Sequence, residues 1–266
     1  MDISILIPGI RPHLWEGVVG GIREACKRYT YEVVFAGPFD PPPGLGDNVR
    51  YIKTYRCPSS TAQMAAGQCE GRMLLHSVDD SRWLPDGVDL AMDLWTSLND
   101  RKAMVNCRYT EGDNYQCPTF PTQYWYAYHH PALHAPGVPR HFQIALHFLM
   151  DMGYFKELGG FDCSYEYQNF NLHDFAYRVQ HDGGSLHLSP TDVTNCDHIS
   201  GRGDHVVIER THDIDLMRYR AKYGNPNALN EPSGVRIPFD NWQQQPEVWA
   251  RRFPRLFTSY DEMMRG

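Results

Sequence analysis

The chain is short of everything that would tie it to a membrane, a disulfide framework or a nucleic acid. No apolar run approaches the roughly 20 residues of a membrane span. The opening, MDISILIPGIRP, lacks the basic region and small-residue cleavage site of a signal peptide, so a cytoplasmic protein is expected. The seven cysteines, at 26, 57, 69, 107, 117, 163 and 196, are odd in number, scattered and without a CxxC pair, which argues for reduced thiols. Basic residues are outnumbered, 25 Lys+Arg against 32 Asp+Glu, and the net charge of -7 disfavours a broad nucleic-acid surface. There is no internal repeat. No Gly-rich phosphate loop with a basic signature follows the first apolar run, which counts against a nucleotidyltransferase.

What is present suits one sizeable α/β domain, or one domain with a C-terminal extension, over 266 residues. Hydrophobic residues at 42% and charged residues at 21% describe an ordinary globular composition. Thirteen histidines and 13% aromatics exceed what a scaffold needs and hint at a site for metal, sugar or bases.

The stretch Leu74–Gly87, LLHSVDDSRWLPDG, carries the sharpest signal, because an apolar run ends in two adjacent carboxylates, Asp79 and Asp80. Acids delivered at the C-terminal end of an α/β strand lie where such sheets hold ligands. Adjacent carboxylates repel unless a cation sits between them, and a hard divalent metal that also holds phosphate oxygens is the usual solution. The alternative is that the pair caps the helix announced by Pro85 and Asp86.

The order of elements supports the first reading. Ile3–Ile7 reads as a strand, His13–Tyr29 as an amphipathic helix, Tyr31–Ala36 and Val49–Tyr55 as strands around the Pro/Gly-rich loop GPFDPPPGLGD. Ser59 or Ser60 is expected to cap a helix through TAQMAAGQCE, and Arg72–Val78 forms the strand that ends at the acids. Helix Asp86–Leu98 and strand Ala103–Tyr109 follow. A β-α-β-β-α-β order implies parallel strands and a doubly wound sheet.

From Glu111 to Pro139 aromatics and prolines dominate, and Tyr124, Trp125, Tyr126 and Tyr128 are read either as core of an alternating strand or as a wall for a flat ligand. His141–Leu158 is expected as a helix ending at Gly159-Gly160. HDFAYRVQHD reads as a helix stopped by Gly183-Gly184, and Leu186–Cys196 as extended. Beyond them a helical segment at Asp213–Tyr223 and a short helix at Glu247–Phe253 are expected. Trp242 and Trp249 imply that this tail wraps on the domain, since they would otherwise expose much apolar surface.

With these pieces placed, the chain resembles the GT-A glycosyltransferases, most closely their family 2-like members. ISILIPG is similar to their first nucleotide-binding strand and LLHSVDDSRWLPDG to their metal-binding strand end. LGGFD (158–162) is similar to their acceptor-side element, DFAYRV to their D-L-x-x-R helix, and DHISGRG to the late histidine of their metal site. The resemblance covers residues 1–205, as a mixed, mostly parallel Rossmann-type sheet flanked by helices, with 206–266 as a helical extension packed on it. The chain departs from the pattern at Ser77, where the family's D-x-D begins with Asp, and at AGPFD, where only Asp40 stands for paired acids. The family's Glu-Asp pair falls on His173-Asp174 or on Asn171-Leu172, according to register.

The resemblance implies a transferase that moves a hexose, glucose or galactose, from a UDP-sugar to a carbohydrate or other hydroxyl acceptor. Pro8, Gly9, Arg11, Asp40, Ser77, Asp79 and Arg202 would hold the nucleotide sugar. Mn²⁺ or Mg²⁺ would be held by Asp79, Asp80 and His198. For an inverting displacement, Asp174, with His173 beside it, would take the acceptor's proton. Each role has a plain counterpart: Asp174 as a helix cap, His198 as a packed histidine, Arg202 as a solvated loop charge. Two other readings stay open, a retaining enzyme of the same fold and a nucleotide-sugar-binding module without turnover.

Overall fold

In strand β1 (Ile3–Pro8) successive side chains point to opposite faces, and both faces carry apolar side chains, so the strand has to be covered twice. The computed structural model, which describes residues 1–111, 127–128, 142–143, 145–196, 204, 212–223, 232–249 and 256–265, shows both covers. Ile3, Ile5 and Ile7 enter one core with Trp15, Val18 and Ile22 of α1 (Trp15–Ala25) and Val88, Ala91 and Met92 of α3 (Gly87–Leu98). Leu6 enters the other, with Ala62 and Ala65 of α2 (Pro58–Ala66), Phe155 of α4 (Met152–Glu157) and Leu172, Phe175 and Val179 of α5 (Gln168–His181).

The eight-stranded sheet has the order β3-β2-β1-β4-β9-β6-β10-β5. β2 (Tyr31–Gly37), β3 (Val49–Lys53) and β4 (Met73–His76) run parallel to β1, and β10 (Ser185–Cys196) runs parallel to β6 (Ala103–Glu111). β5 (Ser81–Trp83) pairs antiparallel with the end of β10. A separate two-stranded ladder joins β7 (Ala127–Tyr128) to β8 (Phe142–Gln143).

Three expectations are corrected. The helix placed over His141–Leu158 is mostly not helix: β9 (Phe148–Asp151) is a strand inserted antiparallel between β4 and β6, and only α4 is helical. Phe148 and Met150 face one core and Leu149 the other, so the strand is apolar on both sides and has no alternation to reveal it. Asp151 ends it by accepting from the Tyr154 amide at 2.7 Å, which caps α4. Helix α2 starts one residue before Ser59, with Pro58 in its first turn, so neither serine is its cap. Of the helix expected at Glu247–Phe253, Glu247–Trp249 is not helical and residues 250–253 lie outside the described residues; the last helix among the described residues is α8 (Tyr260–Arg265).

The C-terminal part lies across the domain. α6 (His212–Tyr223) packs its Tyr219 and Tyr223 against α5. Short α7 (Pro232–Val235) precedes Ile237, whose amide donates to Leu158 O at 3.2 Å. Arg56 donates to the carbonyls of Trp242 and Gln245 and stacks on the Trp242 ring. Trp249, Phe257 and Met263 form a small core with Phe39 and Cys57. None of the six described cysteines forms a disulfide.

Candidate donor site

β1 and β4 are parallel neighbours, so the loops that follow them leave the same edge of the sheet side by side. To one side of β1 the order steps back to β2 and β3, and to the other it steps to β4. The gap between the two loops is therefore the switch point of the sheet, where open α/β sheets hold ligands. Asp79 and Asp80 lie there, three and four residues after His76 ends β4. Neither caps α3, which starts after β5, with Asp86 as its flanking residue.

The loop after Pro8 wraps the Asp79 carboxylate. The amides of Ile10 and Arg11 each donate to Oδ2 at 2.7 Å, and Arg11 Nη1 donates to Oδ1 at 2.6 Å. The approach requires Gly9, since a Cβ there would stand 2.8 Å from Asp79 Oδ2. Arg11 Nη1 is also 3.5 Å from Asp80 Oδ2, and Nε donates to Asp204 Oδ2 at 2.7 Å. Burial works against the guanidinium, but Asp79, Asp80 and Asp204 outweigh it and hold its pKa above the ordinary value. Tyr260 of α8 donates to the same Asp204 oxygen at 2.9 Å and packs on His13, so the end of the described chain closes over this loop.

The Arg11 guanidinium thus lies against both Asp79 and Asp80. Two carboxylates whose near face is filled by a guanidinium do not fit a divalent ion at 2.0–2.6 Å as well, a distance typical of Mg²⁺ or Ca²⁺ on oxygen. No group of three potential metal-ligating side chains occurs among the described residues. His198 and Arg202 lie outside the described residues, as do Tyr124, Trp125 and Tyr126.

Ser77 does not face the cleft. Its hydroxyl accepts from Trp83 Nε1 at 3.2 Å and lies 3.0 Å from Ser81 Oγ and 3.3 Å from His147 Nδ1, in a fully buried position. His147 Nε2 in turn is 3.1 Å from Cys196 Sγ. Burial, with His76 nearby, pushes the His147 pKa down to about 3, so the ring is a neutral bridge between the ends of β4 and β10. His76 is likewise neutral: burial, against one hydrogen bond to Leu146 O, lowers it to about 4, and its other nitrogen meets Gln168 at the start of α5. Asp40 is exposed and paired with Lys53 at 2.8 Å.

Asp174 is neither a cap nor an accessible base. It sits in the middle of α5, wholly buried, with Oδ2 accepting from Arg178 at 2.8 Å and Oδ1 from Lys222 and Tyr223. Burial would raise its pKa, but Lys222 and Arg178 outweigh it and hold the carboxyl at about 2. Arg178 also donates to the carbonyls of Leu158 and Gly160 and so fixes the LGGFD turn to the helix. His173 is buried beside Phe170. Asn171, in the register of the family's acid pair, is fully buried. Asp204, Tyr260, His147 and Cys196 are not singled out as site residues by the sequence. In sequence Asp204 lies two residues after Arg202, whereas nothing local marks the other three.

No family model matches this chain, and no curated protein matches it in sequence. Solved structures are similar in fold. TarS of S. aureus superposes with a TM-score of 0.52 at 11% identity, over 85% of this chain and 43% of TarS. TarS 1-349 in complex with UDP-GlcNAc gives 0.52 at 10%, over 92% and 78%. GalNAc-T7 with UDP, GalNAc and Mn²⁺ gives 0.58 at 12%, over 92% and 57%. The chain thus spans less than half of the first of these TarS chains. At these identities the likeness defines the fold, and the fold is GT-A.

Proposed function

We propose that the chain is a glycosyltransferase that takes a hexose or N-acetylhexosamine from a UDP-sugar and places it on a hydroxyl acceptor. The observation that carries this reading is the Gly9–Arg11 loop and the Asp79–Asp80 pair meeting at the switch point of a GT-A sheet. The fold's solved examples include complexes with UDP-GlcNAc and with UDP, which supports a uridine diphosphate donor. In the transfer, the acceptor oxygen bonds to the anomeric carbon. The bond from that carbon to the β-phosphate oxygen breaks, its electron pair leaves with UDP, and the acceptor's proton passes to a carboxylate base in an inverting course or to the departing phosphate oxygen in a retaining one. Asp79 fixes the β1 loop through the Ile10 and Arg11 amides, and Arg11 supplies positive charge where the diphosphate charge builds up.

The geometry of α5 favours a second reading of the stereochemistry. The inverting course needs a carboxylate open to the acceptor, and Asp174 is closed off by two cations, while an amide, Asn171, holds the alternative register. A retaining course, in which the departing phosphate oxygen takes the acceptor's proton, fits these residues better. A panel of UDP-glucose, UDP-galactose, UDP-GlcNAc and UDP-GalNAc, followed by UDP release and by the anomeric configuration of the product, tests both statements. Absence of binding and turnover with every donor would overturn the reading. Tight binding without turnover would instead favour the sugar-nucleotide-binding module.

A further inference from the structure

We propose that Arg11 is the resident cation of the donor site: its guanidinium takes the place of a divalent metal between Asp79, Asp80 and the diphosphate of the donor. The inference rests on the donor reading above for its ligand, and on the described geometry alone for the cation.

A divalent ion in such a site has two tasks, to neutralise the carboxylates at the strand end and to offer positive charge to phosphate oxygens. Arg11 performs the first already. It is 4% exposed, and its Nη1 serves Asp79 and approaches Asp80 while its Nε serves Asp204. Nη2 makes no bond among the described residues, which leaves its two N–H groups for an incoming phosphate. The side chain is also held at its root, because its own amide and that of Ile10 are bonded to the carboxylate its head neutralises. An ion captured from solvent has to be collected at each binding event. A guanidinium tethered to β1 is always in place and cannot lose its charge near neutrality.

The test compares wild type with Arg11→Gln and Arg11→Lys in chelator and in millimolar Mn²⁺. UDP binding is read by calorimetry and metal binding by thermal unfolding with Mn²⁺ alone. Wild type should bind UDP equally in both buffers and show no Mn²⁺ shift in Tm. Arg11→Gln should lose at least about tenfold in UDP affinity in chelator, equivalent to about 1.4 kcal/mol, and should gain both affinity and Tm from Mn²⁺, which enters the vacated place. Arg11→Lys should keep part of the metal-free affinity. A wild-type affinity that collapses in chelator and returns with Mn²⁺ overturns the inference, as does a wild-type Tm raised by Mn²⁺ and insensitive to it after Asp79→Asn. These wild-type arms decide even if Arg11→Gln does not fold. If UDP fails to bind in either buffer, the donor reading is lost, and the Mn²⁺-only arms still judge Arg11: a shift confined to Arg11→Gln supports it, and an equal shift in wild type refutes it.

Discussion

Asp174 illustrates how one carboxylate can be conspicuous in sequence for one reason and matter for another. Its two cations, Arg178 and Lys222, come from its own helix and from α6, and Arg178 is fully buried. Removing the acid's charge strands that guanidinium. Asp174→Asn should therefore cost about 3–5 kcal/mol of unfolding free energy, read by urea denaturation at neutral pH. A cap would have tolerated Asn almost unchanged. Because the folded carboxyl is held at about 2, below its unfolded value, its stabilisation is complete above pH 4 and is lost as pH falls through about 2.

Asp215 has the opposite sign. It is buried, and despite accepting from the amides of Glu166 and Tyr167 it is pushed up to about 6 by desolvation. A raised acid favours the folded state below its unfolded pKa and gives that stability up as pH rises through the folded one. Between about pH 4 and 6 wild-type stability should fall by this contribution, and Asp215→Asn should flatten that limb. An unchanged slope in the variant would show that Asp215 is ionised throughout.

At the scale of elements, the turn Gly159-Gly160 couples the two halves. Gly159 has φ +85°, and a Cβ there would stand 1.8 Å from Ile237 O; Gly160 has φ +65°, with Gln63 Oε1 2.3 Å from its would-be Cβ. Gly159→Ala should lose about 3 kcal/mol, measured by chemical denaturation, because the backbone carbonyl it meets cannot rotate away as a side chain could.

The same element shows where sequence reading worked and where it failed. The LGGFD turn, the end of β1 at Pro8 and the acids that follow β4 are legible because Gly, Pro and paired acids mark backbone turns and charge locally. β9 was not, since FLM buried on both faces has the same composition as a helix core. Arg11 was named as a nucleotide contact, but its ties to Asp79, 68 residues away, and to Asp204, 193 residues away, have no local signature. The bland readings of Asp174 and of Asp79-Asp80 as caps failed for a related reason. α3 begins at Gly87, as Pro85 and Asp86 announce but beyond Asp80, and α5 begins at Gln168, more than a turn before Asp174.

For the whole molecule, a boundary at residue 205 divides the sequence but not the packing. Lys222 and Tyr223 reach Asp174, Trp249 Nε1 donates to Glu166, and Tyr260 reaches Asp204 beside Arg11. We propose that 206–266 is an integral cover of the GT-A domain. A chain ended after residue 205 should fail to give a cooperative thermal transition, because Asp174 would lose Lys222 and the small core around Trp249 would be gone. A sharp transition in that truncated chain would instead mark the extension as dispensable.

The antiparallel insertion of β9 also sets a constraint on how the chain is made. β4 and β6, residues 73–76 and 103–111, are both synthesised before residues 148–151 that must lie between them. On the ribosome, the β3-β2-β1-β4 half therefore waits with an apolar strand edge unpaired while more than seventy further residues emerge. Pausing within that interval would prolong an edge suited to pairing with another nascent chain. Yield of soluble protein should accordingly depend on translation speed between β4 and β9 more than on speed after β10.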